Sequence, residues 1–471
     1  MPRIFVREAL SRVWTAALLA AALTGCGPDD DPAASSEGDR PAPSAEARPD
    51  APEVFGRGGQ LSRRAAERTF EKIASETDAP AGVQTLIEDV GRLGDEPLYK
   101  DNSVDLLIDG PSTYRAMLEA IRAARDHIHL ETYIFASDPI GEEFAAALIE
   151  RRRAGVAVRV LYDAVGSFDS DAAFFERLES AGVETSVYHA LDDPGGVAKL
   201  NTRDHRKILV IDGAIAFTGG INVSRTYSSS SGGGKRRDPV ADGWRDTHIR
   251  VRGPAVAGFQ QLFLANWREQ GNDLPDRESF FPRPSRRGDE LLQILHASGE
   301  ERGYSPIYHA YLRAMELASE RIWITQAYFA PDEQFIDTLR AAARRGVDVR
   351  ILVPGVTDID VILFASRARY GELLYEGVRF FETQGTVLHA KTAVIDGVWS
   401  TVGSSNLDYR SFLHNDEVNA IVLGARFGQL MEAQFLKDEA SAKPVRLDEW
   451  RKRPLRERAL ETLSRAVDYW L

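Results

Sequence analysis

Two short segments of this chain carry residues suited to phosphodiester chemistry. His205, Lys207 and Asp212 follow the spacing His-x-Lys-x-x-x-x-Asp, and His389, Lys391 and Asp396 repeat it. A neutral histidine is a nucleophile that can displace an alkoxide from an anionic phosphodiester. A second histidine, protonated, can hand a proton to the leaving oxygen. A lysine beside each can offset charge on the phosphoryl oxygens. One such match arises by chance in roughly one chain in a hundred of this His and Lys content, so a lone copy would say little. Two copies at equivalent places of a repeat are specific, and all six residues are candidate catalytic residues.

The surroundings of both motifs read alike. Residues 208–211 and 392–395 are apolar strand runs, and residues two apart on a strand share a face, which puts each His beside its Lys. Asp212-Gly213 and Asp396-Gly397 are hairpin signals, so taken alone each aspartate is also a turn residue. After each hairpin come Gly219-Gly220-Ile221-Asn222 and Gly403-Ser404-Ser405-Asn406. Glycine permits close backbone approach, and Asn222, Ser404 and Asn406 are candidate phosphate-binding donors. Asp246 lies 41 residues after His205 and Glu417 lies 28 after His389, each opening a strand-like run. We expect these carboxylates to back the histidines, Asp246 on His205 and Glu417 on His389, fixing a tautomer and stabilising the imidazolium.

The elements around these residues form an internal duplication. The first copy reads as a helix over 114–125, a strand over 128–135, a helix over 142–153 and a buried strand after Gly155. The second repeats the order with a helix over 311–319, a strand over 322–329, a helix over 333–345 and a strand after Gly346. Strands alternating with amphipathic helices imply an α/β sandwich in each copy. The expected organisation is a signal segment 1–26, an acidic linker 27–55, a helical region 56–100, the two copies at 101–271 and 288–440, and a helical tail 441–471. The amphipathic stretch at 455–471 suits a cap on the second copy or a membrane-surface helix.

Composition narrows the classes. The net charge is −13, of which the stretch 27–53, with eight acids and two bases, carries −6. Nucleic-acid binders depend on a basic surface, so this balance weighs against a nuclease and no nucleic-acid partner is expected. The only cysteine, Cys26, ends a basic and then apolar N-terminal run with Leu23-Thr24-Gly25-Cys26, which resembles a bacterial lipobox. This implies lipidation at Cys26, a membrane partner through that anchor, and a periplasm-facing lipoprotein of the cell envelope; Gly27 after the cysteine leans towards the outer membrane. No metal-ligand cluster stands out, and neither a metal nor another cofactor is expected.

The chain resembles the phospholipase D superfamily, and within it the cardiolipin synthase branch. The resemblance runs from about 101 to 438. It rests on the two histidine motifs, on Trp244-Arg245-Asp246-Thr247-His248, on Tyr328-Phe329-Ala330-Pro331, and on Asn406-Leu407-Asp408-Tyr409-Arg410-Ser411. Gly219-Gly220 departs from the Gly-Ser of many members, and the Ser/Gly-rich insertion 227–234 has no partner in the second copy. The resemblance implies two tandem phospholipase D-like α/β/α sandwich domains forming one pseudo-symmetric unit, with the site where they meet. It implies transfer of a phosphatidyl group through a phosphohistidine on His205, with His389 as acid and base. Phosphatidylglycerol is the expected substrate, and the chain is expected to be a monomer. Phospholipase D hydrolysis, a nuclease and an inactive scaffold are the alternatives; the two intact motifs weigh against the last.

Overall fold

The computed structural model describes residues 52–77, 80–93, 96–190, 201–228, 243–275, 278–299 and 305–465. Its two copies share one strand order. In the first, β1 (Leu98–Ile108), β2 (His127–Thr132), β3 (Ala157–Asp163), β4 (Glu184–Tyr188), β5 (Lys207–Ile211), β6 (Ile215–Gly219) and β7 (Thr247–Arg252) are arranged β4-β3-β2-β5-β6-β7-β1. In the second, β8 (Glu290–Ala297), β9 (Arg321–Gln326), β10 (Asp348–Pro354), β11 (Arg379–Thr383), β12 (Lys391–Ile395), β13 (Trp399–Gly403) and β14 (Glu417–Leu423) are arranged β11-β10-β9-β12-β13-β14-β8. β2, β3 and β4 run parallel, as do β9, β10 and β11, because helices cross over between them. The remaining pairs are antiparallel.

Each copy opens with a strand, where the sequence pattern placed a helix first. β1 and β8 pair antiparallel and join the two sheets into one. The reason β1 escapes the pattern is local: Lys100-Asp101-Asn102-Ser103 breaks its apolar run, and Asp101 sits at φ 69°.

Helices cover the sheets: α1 (Asp109–Ala123), α2 (Pro139–Arg153), α3 (Ala172–Ser180) and α4 (Val256–Glu269), then α5 (Pro306–Leu317), α6 (Glu333–Arg344), α7 (Asp360–Tyr375) and α8 (Ala425–Glu439). Local chemistry starts several of them. Asp138 caps α2 by accepting from Ile140 and Gly141 N–H, with Pro139 in the first turn, and Asp332 caps α6 by accepting from Phe335 N–H. Along β5, Leu209 and Ile211 face one core cluster while Ile208 and Val210 face another. Along β12, Ala393 and Ile395 alternate with Val394 in the same way. Both faces of each motif strand are therefore covered, which holds its ends in place. The shared cluster draws residues from both copies, including Ile249, Val251, Leu292, Val394 and Val418.

Two helices, Arg63–Ala74 and Pro80–Val90, precede the first copy but pack into the core of the second, with Phe70 and Ile87 beside Leu295 and Tyr311. The helix Leu455–Arg465 packs against α7, and Trp450 lies on Tyr370 with ring centroids 5.1 Å apart. Cys26, nearly all of the acidic linker and most of the Ser/Gly-rich insertion lie outside the described residues.

Candidate active site

The two hairpins place the motif residues. Asp212 and Gly213 have φ of 52° and 58°, and Asp396 and Gly397 of 49° and 67°. Two successive left-handed residues make each tight turn, closed by Ala214 N–H to Ile211 O at 2.9 Å and by Val398 N–H to Ile395 O at 3.2 Å, with Ile211 opposite Ile215 and Ile395 opposite Trp399. The Asp212 carboxylate accepts from the N–H of Arg125, Asp126 and His127 at 2.8–3.2 Å. Asp396 accepts from Ser319, Glu320 and Arg321 at 2.8–2.9 Å. Seven residues of extended chain carry each aspartate roughly 20 Å from its histidine. The expectation that Asp212 and Asp396 act on substrate is therefore corrected: they pin the hairpin turn to the strand beside it.

At the other end of β5 and β12 the two copies interlock. The segment before His205 pairs with the segment before Glu417, through His205 N–H to Asp416 O at 2.9 Å and Asp416 N–H to Arg203 O at 2.9 Å. The segment before His389 pairs likewise with Arg245, through His389 N–H to Arg245 O at 2.7 Å and Arg245 N–H to Val387 O at 2.9 Å. This backbone crossing decides the side-chain pairing. His205 Nδ1 stands 3.0 Å from both oxygens of Glu417, and His389 Nδ1 stands 2.7 Å from Asp246 Oδ2. Both carboxylates do meet histidine rings, but each serves the histidine of the other copy, the reverse of the pairing expected from sequence order.

The lysines are anchored identically. Lys207 Nζ donates to His205 O at 2.5 Å and Lys391 Nζ to His389 O at 2.6 Å. Each ammonium also faces an aromatic ring, Lys207 over Tyr133 at 5.3 Å and Lys391 over Tyr328 at 5.9 Å. Those tyrosines wall the histidines, Tyr133 5.2 Å from His205 and Tyr328 6.4 Å from His389.

The expected phosphate donors divide. Ser404 Oγ donates to Glu417 Oε2 at 2.5 Å, so this hydroxyl is engaged in holding the carboxylate. Asn222 accepts from Ile134 N–H at 3.1 Å and donates to Tyr227 Oη at 3.1 Å, which ties it to the loop behind the site. Asn406 keeps a buried Oδ1, an acceptor, without a hydrogen-bond partner among the described residues. Gly220, which matches Ser404 in position, has no room for a side chain: a Cβ there would lie 2.3 Å from Asp246 Oδ1. The departure from Gly-Ser thus follows from the carboxylate packed against it.

Sequence reasoning missed Tyr227, whose Oη lies 3.4 Å from His389 Nδ1 and whose side chain is fully buried against Trp244. Its only signal was a position at the edge of the insertion. Arg245 was also missed as a brace: it bonds Asp438 at 2.6 Å and Thr247 Oγ1 at 2.8 Å while its backbone carries the crossing.

The electrostatics suit a neutral nucleophile. Burial pushes His205 down to about 4, against the opposing pull of Glu417. Burial alone would raise Glu417, but His205 and Lys207 bring it down to about 2. An ionised carboxylate only accepts, so His205 carries its proton on Nδ1 and keeps the Nε2 lone pair. His389 is also lowered, by burial and then Lys391, with Asp246 opposing. Burial lowers Lys207 to about 7 and Lys391 to about 8.

Comparison with known proteins shows the family and the fold. The family model described as Cardiolipin synthase, PLD-like domain, matches residues 117–231 and 311–439. A cardiolipin synthase of a Geobacillus species is 35% identical over 409 residues, covering 85% of this chain and 80% of the relative. The major cardiolipin synthase of Bacillus subtilis is 34% identical over 370 residues, covering 78% of this chain and 75% of the relative. The crystal structure of a phosphatidylserine synthase from Haemophilus influenzae superposes with a TM-score of 0.59 at 13% identity, covering 78% of this chain and 95% of that one. It shows a shared fold. The expected placement as an outer-membrane lipoprotein is corrected: the matching relatives are bacterial cardiolipin synthases. No helix among the described residues is long and apolar enough to cross a membrane. The two-domain fold, the paired histidine motifs and the identity across most of both chains place this protein in the cardiolipin synthase family of phospholipase D-like enzymes.

Proposed function

We propose that this enzyme moves a phosphatidyl group from one phosphatidylglycerol to the headgroup hydroxyl of another, giving cardiolipin and glycerol. The observation that carries the reading is the crossed pair of histidine–carboxylate contacts, His205–Glu417 and His389–Asp246. In the first step His205 Nε2 attacks the phosphorus, a P–N bond forms, and the P–O bond to the glycerol headgroup breaks. His389 gives its proton to the departing alkoxide. In the second step the acceptor hydroxyl loses its proton to His389 and attacks phosphorus, and the P–N bond breaks. No external energy source enters, because one phosphodiester is exchanged for another. Lys207, Lys391 and Asn406 stabilise the crowded phosphoryl oxygens. The negative charge of the bound phosphodiester raises the proton affinity of His389, which readies it as the acid.

Water competes with the acceptor hydroxyl for the phosphohistidine, so the product ratio reports the reaction class. Purified enzyme on phosphatidylglycerol vesicles should release glycerol and form cardiolipin in equal amounts. Phosphatidate as the product at every lipid density would make the protein a hydrolase.

A further inference from the structure

Among the described residues, large exposed apolar side chains are few, and two stand at matched places in the two copies. Glu131 and Thr325 each sit one residue before the strand partner of a motif lysine, and across the parallel pairs they face Leu161 and Leu352. Phe168 lies seven residues after Leu161 and Ile359 seven after Leu352. Phe168 is 58% exposed and Ile359 37% exposed. A single exposed apolar side chain is ordinary, but duplication at register-equivalent positions is a pattern.

Both loops are tied to the walls of the histidine site. Phe168 follows Ser167, whose Oγ accepts from Phe135 N–H at 3.0 Å and donates to Tyr133 O at 3.3 Å. Ile359 follows Asp358, which accepts from the Tyr328 hydroxyl at 2.9 Å. Tyr133 and Tyr328 are the rings beside His205 and His389. Each copy thus carries one exposed apolar side chain directly after a residue bonded to the tyrosine beside its histidine.

We propose that Phe168 and Ile359 form a bipartite lipid-insertion element that seats the histidine site on a phospholipid bilayer. The proposal rests on the phospholipid reading above. A donor lipid must lift its headgroup to two histidines buried between the copies, and burying one apolar side chain on each side in the acyl boundary holds the site over that headgroup. Asp169 and Asp360 adjoin the two residues and are exposed. Insertion is then driven by apolar burial and not by attraction to anionic lipid, so binding to neutral vesicles should change little with salt.

The test uses the full chain and the variants Phe168→Ser, Ile359→Ser and the double. Co-sedimentation with phosphatidylethanolamine–phosphatidylcholine vesicles should weaken by about tenfold in the double variant, from the lost apolar burial. Transfer on phosphatidylglycerol vesicles should fall in step, while the rate on a short-chain phosphatidylglycerol below its micelle concentration stays at the wild-type value. Thermal unfolding should match wild type, which separates lost insertion from lost fold. Undiminished vesicle binding in the double variant would overturn the proposal. So would an equal loss on the monomeric lipid, which would make these side chains substrate contacts. If the wild type turned over no phospholipid, the proposed function would fail, while the vesicle binding would still decide this inference.

Discussion

His205 Nδ1 contacts both oxygens of Glu417 at 3.0 Å, although 212 residues separate them and they belong to different copies of the repeat. The mirror contact, His389 with Asp246 at 2.7 Å, makes the dependence mutual. Neither copy alone holds a complete histidine–carboxylate pair, so under the proposed function catalysis would depend on the two copies staying together. The carboxamide in Glu417→Gln can donate to Nδ1 and favour the wrong tautomer. We predict that this variant folds and loses turnover by on the order of a hundredfold or more, with Asp246→Asn behaving alike. Steady-state kinetics on folded variants checks this, and near-normal turnover in either would remove the dyads from the mechanism.

The hairpin aspartates should behave differently. Asp212 and Asp396 accept several backbone N–H groups and adopt left-handed φ. Asp396→Ala strands those donors and strains the turn, and should cost about 3 kcal/mol in stability. Asp396→Asn tolerates the left-handed φ and should cost less. Activity per folded molecule should hold in both, as measured by denaturant unfolding alongside active-site titration. A catalytic loss without a stability loss would return Asp396 to the chemistry.

Much of this arrangement is legible before any fold is known. The repeat, the motif hairpins and the two backing carboxylates follow from spacing and residue type. The partners of the carboxylates do not, because sequence order favours partners within a copy, while the pairing is decided by the backbone crossing at Asp204–Asp416 and Arg245–Leu388. β1 was hidden by its polar centre, and Tyr227 by being one aromatic among many. Ser404 was read as a phosphate donor because its hydroxyl, seen alone, says nothing of the Glu417 oxygen 2.5 Å away.

Two secondary braces give a finer prediction. Ser404→Ala removes a donor to Glu417, and Tyr227→Phe removes the hydroxyl beside His389 Nδ1. Each should lower kcat by roughly tenfold, consistent with one lost hydrogen bond to a charged or titrating group. The two effects should be nearly additive, since the braces serve different histidines. Strong non-additivity in a double-mutant cycle would mean that the two dyads are not separate units.

The pH dependence has a defined sign. His205 is lowered from 6.5 to about 4, so its unfolded form takes a proton that the folded form refuses. The His205 contribution to stability is full above pH 6.5 and is lost as pH drops towards 4. Glu417, lowered from 4.5 to about 2, adds a further loss as pH falls from 4.5 towards 2. Across pH 4 to 6.5 the unfolding temperature of the wild type should therefore fall relative to that of His205→Gln, whereas Glu131 and Asp408, raised by burial to about 7, act with the opposite sign in both proteins. On the alkaline side, deprotonation of Lys207 near 7 and Lys391 near 8 should lower kcat/KM. Lys207→Arg keeps its charge at every pH used and should move the onset of that limb from about 7 towards about 8, where Lys391 titrates, at a lower maximum. An unchanged alkaline limb would mean another group controls it.

The central claim is that a covalent phosphatidyl–enzyme forms on His205 and is resolved with the help of His389. Rapid alkaline quench of the enzyme turning over phosphate-labelled phosphatidylglycerol, followed by peptide mapping, reads it directly. The label should reside on the peptide containing His205, should vanish in His205→Ala, and should be chased by unlabelled acceptor lipid. Label on the His389 peptide, or turnover with no labelled histidine at any time point, would contradict the account.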